Sequence, residues 1–544
     1  MRTKPYQVVT NQTKGPKMSR SPVNWTRREW LKASMTGAAA AASAMAIPGC
    51  RPDIPDTIEY PEHPTVRDTR PNILLVVSDD LSWRHKSAYG YEQVFTPYFD
   101  RIAEEGILFK HAYVTSPSCT PSRGSMLTGQ WFWRLGEGAN LWSTLDPDIP
   151  TYTGLLEEAG YHVGFTGKGW GPGVVNGWEY NPAGKAYNHH RLLPPTRGIS
   201  DYDYAANFVD FLHDARGGQP FCFWFGPFEP HRHYEPSAAL RYGIDPTALE
   251  LPAFLPDVPE VREDMADYLF EIQWFDEHLG RMMATLEHYG ELDNTIIVVT
   301  SDNGMPFPRA KGTLYDHGTR VPLAIRWGER VPGGRRVDDF VSLQDLAPTF
   351  LDAAGVETPD VMTGQSLLPL LESESSGQVM ADRDAVLTGR ERHVPGQTWP
   401  SMAGYPSRAI RTHQWLYIRN FEPERWPAGA PEDSTMGIPY PDVDGGPSKS
   451  FLLEHRDDPE IQPYYKWAFG KRPAEELYNV ETDPYQLTNL ADAPELDHIK
   501  QHLAQQLLTK LEETGDPRVL ERGEQFDAYP YYGQLARPES IPHS

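Results

Sequence analysis

Two acidic pairs, Asp79-Asp80 and Asp302-Asn303, stand about 220 positions apart in the chain. Brought together, three carboxylates and an amide, with no histidine among them, form a hard oxygen cage. Such a cage suits Ca2+, Mg2+ less well, and disfavours zinc; Ca2+ is preferred because it takes six or more bonds of flexible length. Singly, neither pair says much, since Asp-Asp after a strand commonly caps a helix and Asp-Asn-Gly commonly makes a turn. The deciding segment is Ser118-Cys119-Thr120-Pro121-Ser122-Arg123-Gly124. Pro121 is placed to open a helix, which would put Cys119 among backbone N–H groups that favour an anion. Taken plainly, that describes a nucleophilic thiol of lowered pKa. The spacing Cys-x-Pro-x-Arg is more specific than that.

These residues need a frame that gathers them. Asn72-Ile73-Leu74-Leu75-Val76-Val77 is a continuous aliphatic run, and similar runs cover 163–165, 221–225 and 295–299. Runs without alternation suit strands buried on both faces of a mostly parallel sheet. Helical patterns over 97–105, 152–159, 265–288 and 346–354 separate them, which predicts an α/β fold with helices on both faces. Each run leads into polar residues: Asp79-Asp80, Gly167-Lys168, Pro230-His231 and Asp302-Asn303. In an open parallel sheet functional residues collect beyond the carboxyl ends of the strands, so the two acidic pairs should converge. Past residue 375 the texture changes to aromatic strand-like pieces such as 414–418, Pro/Gly-rich loops and an amphipathic pattern at 499–511. That predicts a smaller C-terminal α+β domain.

Cys119-Thr120-Pro121-Ser122-Arg123 resembles the signature of the type I sulfatases, in which the cysteine is oxidised to formylglycine by a formylglycine-generating enzyme. Asp79, Asp80, Asp302 and Asn303 are similar to that family's calcium ligands, joined by residue 119 itself. The segment from Thr96 to Ala103 resembles the helix between them. Lys311 and Thr319-Arg320-Val321-Pro322 resemble a later active-site loop, and the likeness runs from about residue 72 to 515. It implies an alkaline phosphatase-like fold: a large mixed sheet sandwiched by helices, with a small antiparallel C-terminal sheet. It also implies roles: Asp302 would take the nucleophile's proton and Arg123 would hold the formylglycine hydroxyl. Lys168 and Lys311 would neutralise sulfate, and His231 would protonate the leaving group. The expected division is an export segment over 1–50, a linker over 51–70, a catalytic domain over 71–375 and a C-terminal subdomain over 376–544.

Closer likeness points to the heparan N-sulfatase branch, through Phe228-Glu229-Pro230-His231-Arg232, Asp302 to Pro308, Thr363 to Pro369 and Glu476-Leu477-Tyr478-Asn479. N-sulfoglucosamine is therefore the leading substrate, a sugar O-sulfate in glycosaminoglycan-like or algal fragments the runner-up. A phosphonate or phosphodiester hydrolase and a non-catalytic sulfated-glycan binder are the remaining alternatives. One departure stands out: the family usually carries a histidine two positions after the lysine, and here Trp170 follows Lys168. Either His317, His189 or His190 fills that place, or the leaving group needs less help. Loops with Arg390 to His393, Arg408 and Arg411 are candidates for contacts to sulfate or carboxylate on a neighbouring sugar.

The formal charge of −25 argues against nucleic-acid binding and means that an anionic substrate needs a local positive field. Three cysteines, Cys50, Cys119 and Cys222, each have a separate fate, so no structural disulfide is expected; Cys222 reads as core. Thr26-Arg27-Arg28-Glu29-Trp30-Leu31-Lys32 followed by a short apolar stretch matches a signal for the twin-arginine translocase. Ile47-Pro48-Gly49-Cys50 resembles a lipobox, which would make Cys50 a lipid anchor and the protein a periplasmic or cell-envelope lipoprotein. Residues before Met18 match neither signal nor domain, making Met18 a candidate translation start. A homodimer remains open.

Overall fold

A computed structural model describes residues 68–535, save 216 and 217. The export motif, the linker up to residue 67 and Cys50 lie outside the described residues. Among the described residues, no helix is long and apolar enough to cross a membrane.

The aliphatic runs form the expected strands. The large sheet comprises β1 (Asn72–Ser78), β2 (Ile107–Tyr113), β3 (His162–Gly167), β4 (Lys185–Ala186), β5 (Phe221–Gly226), β6 (Thr295–Ser301), β7 (Ala324–Arg326) and β8 (Arg335–Ser342). Their order is β8-β2-β7-β6-β1-β5-β3-β4, parallel except for β7, which runs against β2 and β6. β1 is central and pairs with both β5 and β6, Ile73 facing Cys222 on one side and Ile296 on the other. Its alternate residues feed opposite cores, as a strand buried on both faces must. Leu74 and Val76 pack with helices α1 (Pro97–Glu105), α4 (Tyr204–Asp214) and α5 (Pro259–Tyr289). Ile73, Leu75 and Val77 pack with α2 (Cys119–Thr128), α3 (Tyr152–Glu158) and α6 (Leu346–Ala354).

Helix α1 begins at Pro97, whose missing N–H costs nothing at that position. Asp276 of α5 supplies the cap, its two carboxylate oxygens accepting from the N–H groups of Tyr98 and Phe99 at 2.9 Å each. A second sheet follows, antiparallel, with β9 (Ala385–Arg390), β10 (Ser407–Thr412), β11 (Trp415–Asn420) and β12 (Glu475–Asn479) in chain order. Helix α7 (Asp497–Glu513) covers it through Leu503, Leu507 and Leu511. The fold is thus a mixed, mostly parallel sheet between helices with a separate small antiparallel sheet.

Candidate active site

The carboxyl ends of β1 and β6 lie side by side, because the two strands are paired in register along their whole length. Asp79-Asp80 and Asp302-Asn303 therefore meet. Asp80 turns back with φ of 68°, and its N–H donates to Asp302 Oδ1 at 3.1 Å. Gly304 has to be glycine: a Cβ there would lie 1.8 Å from the His317 carbonyl oxygen. The first turn of α2 closes the group, its Cys119 thiol 3.5 Å from Asp79 Oδ1. Oxygens of Asp79, Asp80 and Asp302 and the Cys119 sulfur all lie within 4.8 Å of one another, every one of these side chains buried.

Around this cage stand the expected cations. Lys168 donates to both oxygens of Asp79 at 2.8 and 2.7 Å, and Lys311 to both of Asp80 at 2.5 and 2.6 Å. Arg123 is fully buried; its Nε donates to Asp302 Oδ2 at 2.7 Å and its Nη1 to the carbonyls of Lys168 and Gly169. Its Nη2 has no hydrogen-bond partner among the described residues and lies 3.9 Å from Asp79. His231 places Nδ1 2.7 Å from the Arg232 carbonyl, which leaves Nε2 facing Asp80 at 3.7 Å. Burial opposes charge on this imidazole, but Asp80 and Asp79 raise its pKa overall. Burial also disfavours the ammonium groups, yet Asp79 holds Lys168 and Asp80 holds Lys311 above the ordinary lysine value.

The donor set fits a hard divalent cation. Asn303 Oδ1 is buried and has no hydrogen-bond partner, while its amide nitrogen lies 2.7 Å from both Asp80 Oδ1 and Asp302 Oδ1. An orphaned amide oxygen beside three carboxylates is the observation a metal site predicts. Three carboxylates here face three cations, Lys168, Lys311 and Arg123, so adding a divalent ion makes the group net positive. That is the local field an acidic protein needs in order to receive an anion. The cysteine itself is no activated thiol: burial, and next the carboxylate of Asp302, push its pKa well above the usual value. The simple expectation of a lowered thiol pKa therefore fails, because burial first, and then the neighbouring carboxylates, disfavour the thiolate.

Several substrate candidates fall elsewhere. Trp170 is buried in the core on the α2 side of the sheet, its backbone N–H and carbonyl both tied to Asn181. His317 packs among Trp83, Phe254 and Tyr485, where burial lowers its pKa to about 3. His190 pairs with Asp210 at the surface, and His189 is exposed. Arg408 is fully buried between Asp516 and Glu391, Arg411 grips Asp316 through two hydrogen bonds of 2.9 Å, and Arg390 binds Asp442 at 2.5 Å. None of these arginines is turned towards solvent, which corrects their expected role as contacts to sugar: β9 and β10 hold them against acidic partners in the interior.

Two further residues line the site, His393 from the 390–393 loop expected to contact sugar and Asp444, which no motif marks. His393, just past β9, sets Nδ1 2.8 Å from the Ser118 hydroxyl, immediately before Cys119. Burial first, then Lys311 and Arg390, hold its pKa well below the ordinary value. Asp444, in the connection between β11 and β12, comes within 3.6 Å of Lys311. Burial works against its charge, while Lys311, His231 and His393 lower its pKa overall. Its sequence setting, Asp442-Val443-Asp444-Gly445-Gly446, reads as an ordinary turn, and no signal marks it as part of a site.

A sulfatase family model matches residues 71–356, more than half of the chain. An ulvan-active sulfatase of Formosa agariphila is 27% identical over 458 residues, 82% of this chain and 81% of that protein. Human N-sulphoglucosamine sulphohydrolase is 27% identical over 492 residues, 82% of this chain and 91% of the human one. Among solved structures, BT4656 in complex with its substrate D-glucosamine-2-N,6-O-disulfate superposes with a TM-score of 0.58 at 23% identity, over 82% of this chain and 98% of that one. The phosphonate monoester hydrolase of Agrobacterium radiobacter gives 0.59 at 19% identity, over 82% of this chain and 96% of that one. At these identities the two structural likenesses speak to the fold alone. The signature cysteine, the converging carboxylates and the family model all fall on one stretch of chain, and the protein belongs to the sulfatase family, hydrolases of alkaline phosphatase-like architecture.

Proposed function

We propose that this sulfatase releases sulfate from sulfated saccharides, N-sulfoglucosamine foremost, using formylglycine made from Cys119 and one Ca2+ held by Asp79, Asp80, Asp302 and Asn303. The observation that carries this reading is the buried Cys119 at the start of α2, inside an oxygen cage and flanked by Lys168 and Lys311. Names of relatives support the substrate class, since both the ulvan-active and the N-sulphoglucosamine enzymes act on sulfated glycans by name. When bound, calcium would polarise sulfate oxygens, and a hydrated aldehyde at 119 would supply an oxygen nucleophile whose second hydroxyl lets sulfate leave again.

The chain's own residues account for the rest. Arg123, fixed by Asp302 and two carbonyls, offers its unpartnered Nη2 to a hydroxyl at position 119. Asp302, which shares the cage with residue 119, would accept that hydroxyl's proton. Lys168 and Lys311 neutralise charge on the sulfate oxygens. With Nδ1 donating to the Arg232 carbonyl, His231 carries its transferable proton on Nε2 and delivers it to the leaving atom. An O-sulfated sugar is the second reading, favoured by the N-acetylglucosamine-6-O-sulfatase of Bacteroides thetaiotaomicron, 28% identical over 416 residues. That match covers 58% of this chain and 72% of that protein.

The twin-arginine motif and Cys50 support an envelope lipoprotein. Palmitate labelling that survives Cys50→Ala would count against the anchor. Function is tested by sulfate release from N- and O-sulfated mono- and disaccharides, with peptide mass establishing the state of residue 119. Release from N-sulfoglucosamine by protein carrying the aldehyde is the expected result; an unmodified Cys119 in active enzyme would sink the proposal.

A further inference from the structure

The connection between β11 and β12 folds into a small lobe around Ala428, Tyr440, Val443, Leu452 and Phe469. Three buried ties fix its inner turn. Arg390 holds Asp442 at 2.5 Å. Lys449 Nζ donates to the carbonyls of Tyr440 and Val443 at 2.9 and 2.7 Å. The Ser448 N–H and hydroxyl donate to Asp264 Oδ2 at 3.1 and 2.5 Å, and Asp264 is itself clamped by Arg232 at 2.6 and 2.8 Å. Between these ties stands Asp444. Its Oδ2 is buried with no hydrogen-bond partner among the described residues, and Lys311 at 3.6 Å is beyond hydrogen-bond reach. A carboxylate oxygen of Asp444, one of Asp80 and a ring nitrogen of His231 all lie within 4.8 Å of one another. So much anchoring delivers one unsatisfied acceptor to the place where the leaving group is protonated. A pocket for sulfate has no use for another negative charge unless the substrate brings a donor to it.

We infer that Asp444 accepts a hydrogen bond from the N–H of a sulfamate at its leaving nitrogen, and thereby selects N-sulfated sugars over O-sulfate esters. This rests on the sulfohydrolase reading above. A sulfamate nitrogen carries one hydrogen. An ester oxygen in its place has only lone pairs, which a carboxylate repels. As the nucleophile's oxygen bonds to sulfur, the S–N bond breaks and its electron pair stays on nitrogen. The proton from His231 Nε2 then completes an amine that keeps its original hydrogen. A further proton from water makes it an ammonium, which pairs with Asp444.

The test compares wild type with Asp444→Asn, both bearing the aldehyde and loaded with calcium. The ratio of kcat/KM for N-sulfoglucosamine to that for glucosamine 6-sulfate falls by about ten-fold or more in the variant, since one charged hydrogen bond is lost. Calorimetric binding of glucosamine relative to glucose, which needs no turnover, falls with it. Unfolding within about 2 °C of wild type establishes that the fold holds, and Asp444→Ser takes its place if the first variant does not fold. Equal losses on both substrates, or no change in either ratio, overturn the assignment. Wild type active on O-sulfates alone also overturns it while leaving the sulfohydrolase standing, whereas no sulfate from any sugar overturns the sulfohydrolase reading itself.

Discussion

The rim of the large sheet and the small antiparallel sheet use the same buried residues, arginine and aspartate, to opposite ends. At the rim, Asp79, Asp80 and Asp302 crowd together and two lysines and an arginine answer them, with Arg123 Nη2 and Asn303 Oδ1 left unpartnered. In the small sheet, Arg408 meets Asp516 and Glu391, and Glu391 in turn meets Arg518 at 2.6 Å. Arg411 meets Asp316, which sits in the 311–322 loop and so ties this sheet to the catalytic frame. The first set is crowded by like charges, a state tolerated where chemistry needs it. The second is saturated. Unsatisfied atoms, more than charge as such, separate a site from a seam.

The largest effect expected of this contrast is at Cys119. Cys119→Ala lowers sulfate release by about a thousand-fold or more, as loss of a nucleophile does, while the unfolding transition stays near that of wild type. A variant that unfolds instead would mean that the first turn of α2 belongs to the core. Calcium sharpens the same contrast: chelation removes activity and added Ca2+ restores it. Ca2+ at about a hundred times its Kd stabilises the fold by about 3 kcal/mol, and Asn303→Ala shrinks that shift in a thermal scan. A shift that ignores Asn303 would place the ion elsewhere.

Arg408→Met makes the opposite demand. It strands two buried carboxylates at a seam and costs about 3–5 kcal/mol in denaturant unfolding, with kcat per folded molecule little altered. A normal stability curve with impaired turnover would return Arg408 to the substrate.

This contrast also explains what could be read in advance. Strands β1, β5 and β6 are buried on both faces, so they are written as unbroken apolar runs, aliphatic in β1 and β6 and aromatic in β5, and the candidate site residues follow within a few positions of each. Strand β8 is the edge of the sheet and carries Arg335-Arg336 and Asp338-Asp339, so no such run announces it. Motif positions were legible because helix and strand ends fix them locally. The placement of Asp444, and of His393 beyond its membership of a candidate loop, was not, because distant partners fix it: Asp264 and Arg390 on the residues flanking the one, Ser118 on the other. The arginines at 390, 408 and 411 misled for the complementary reason. Arginine on a strand is the same letter whether it meets a sugar or an aspartate, and only distant segments carrying Asp316, Asp442 and Asp516 bring the partner in.

A third kind of buried ionisable group lies in neither region. Glu271, on α5, is 2% exposed, and both its carboxylate oxygens lack partners among the described residues. Burial first, then the nearby carboxylates of Glu229 and Asp267, push its pKa well above the ordinary value, against a smaller opposing effect of Arg232. The folded protein therefore keeps this proton to higher pH than the unfolded chain, which releases it above its ordinary value of 4.5. Stability linked to this group is complete below that pH and falls as pH rises, until the folded carboxyl ionises as well. Glu271→Gln keeps the shape of the neutral acid and has no proton to lose. The variant should thus be more stable than wild type near pH 7.5, by on the order of 2 kcal/mol, with the gap closing towards pH 4.5. Denaturant unfolding at the two pH values measures it. A gap independent of pH would mean that Glu271 is ionised in the fold and has found a partner, which would make it one more seam.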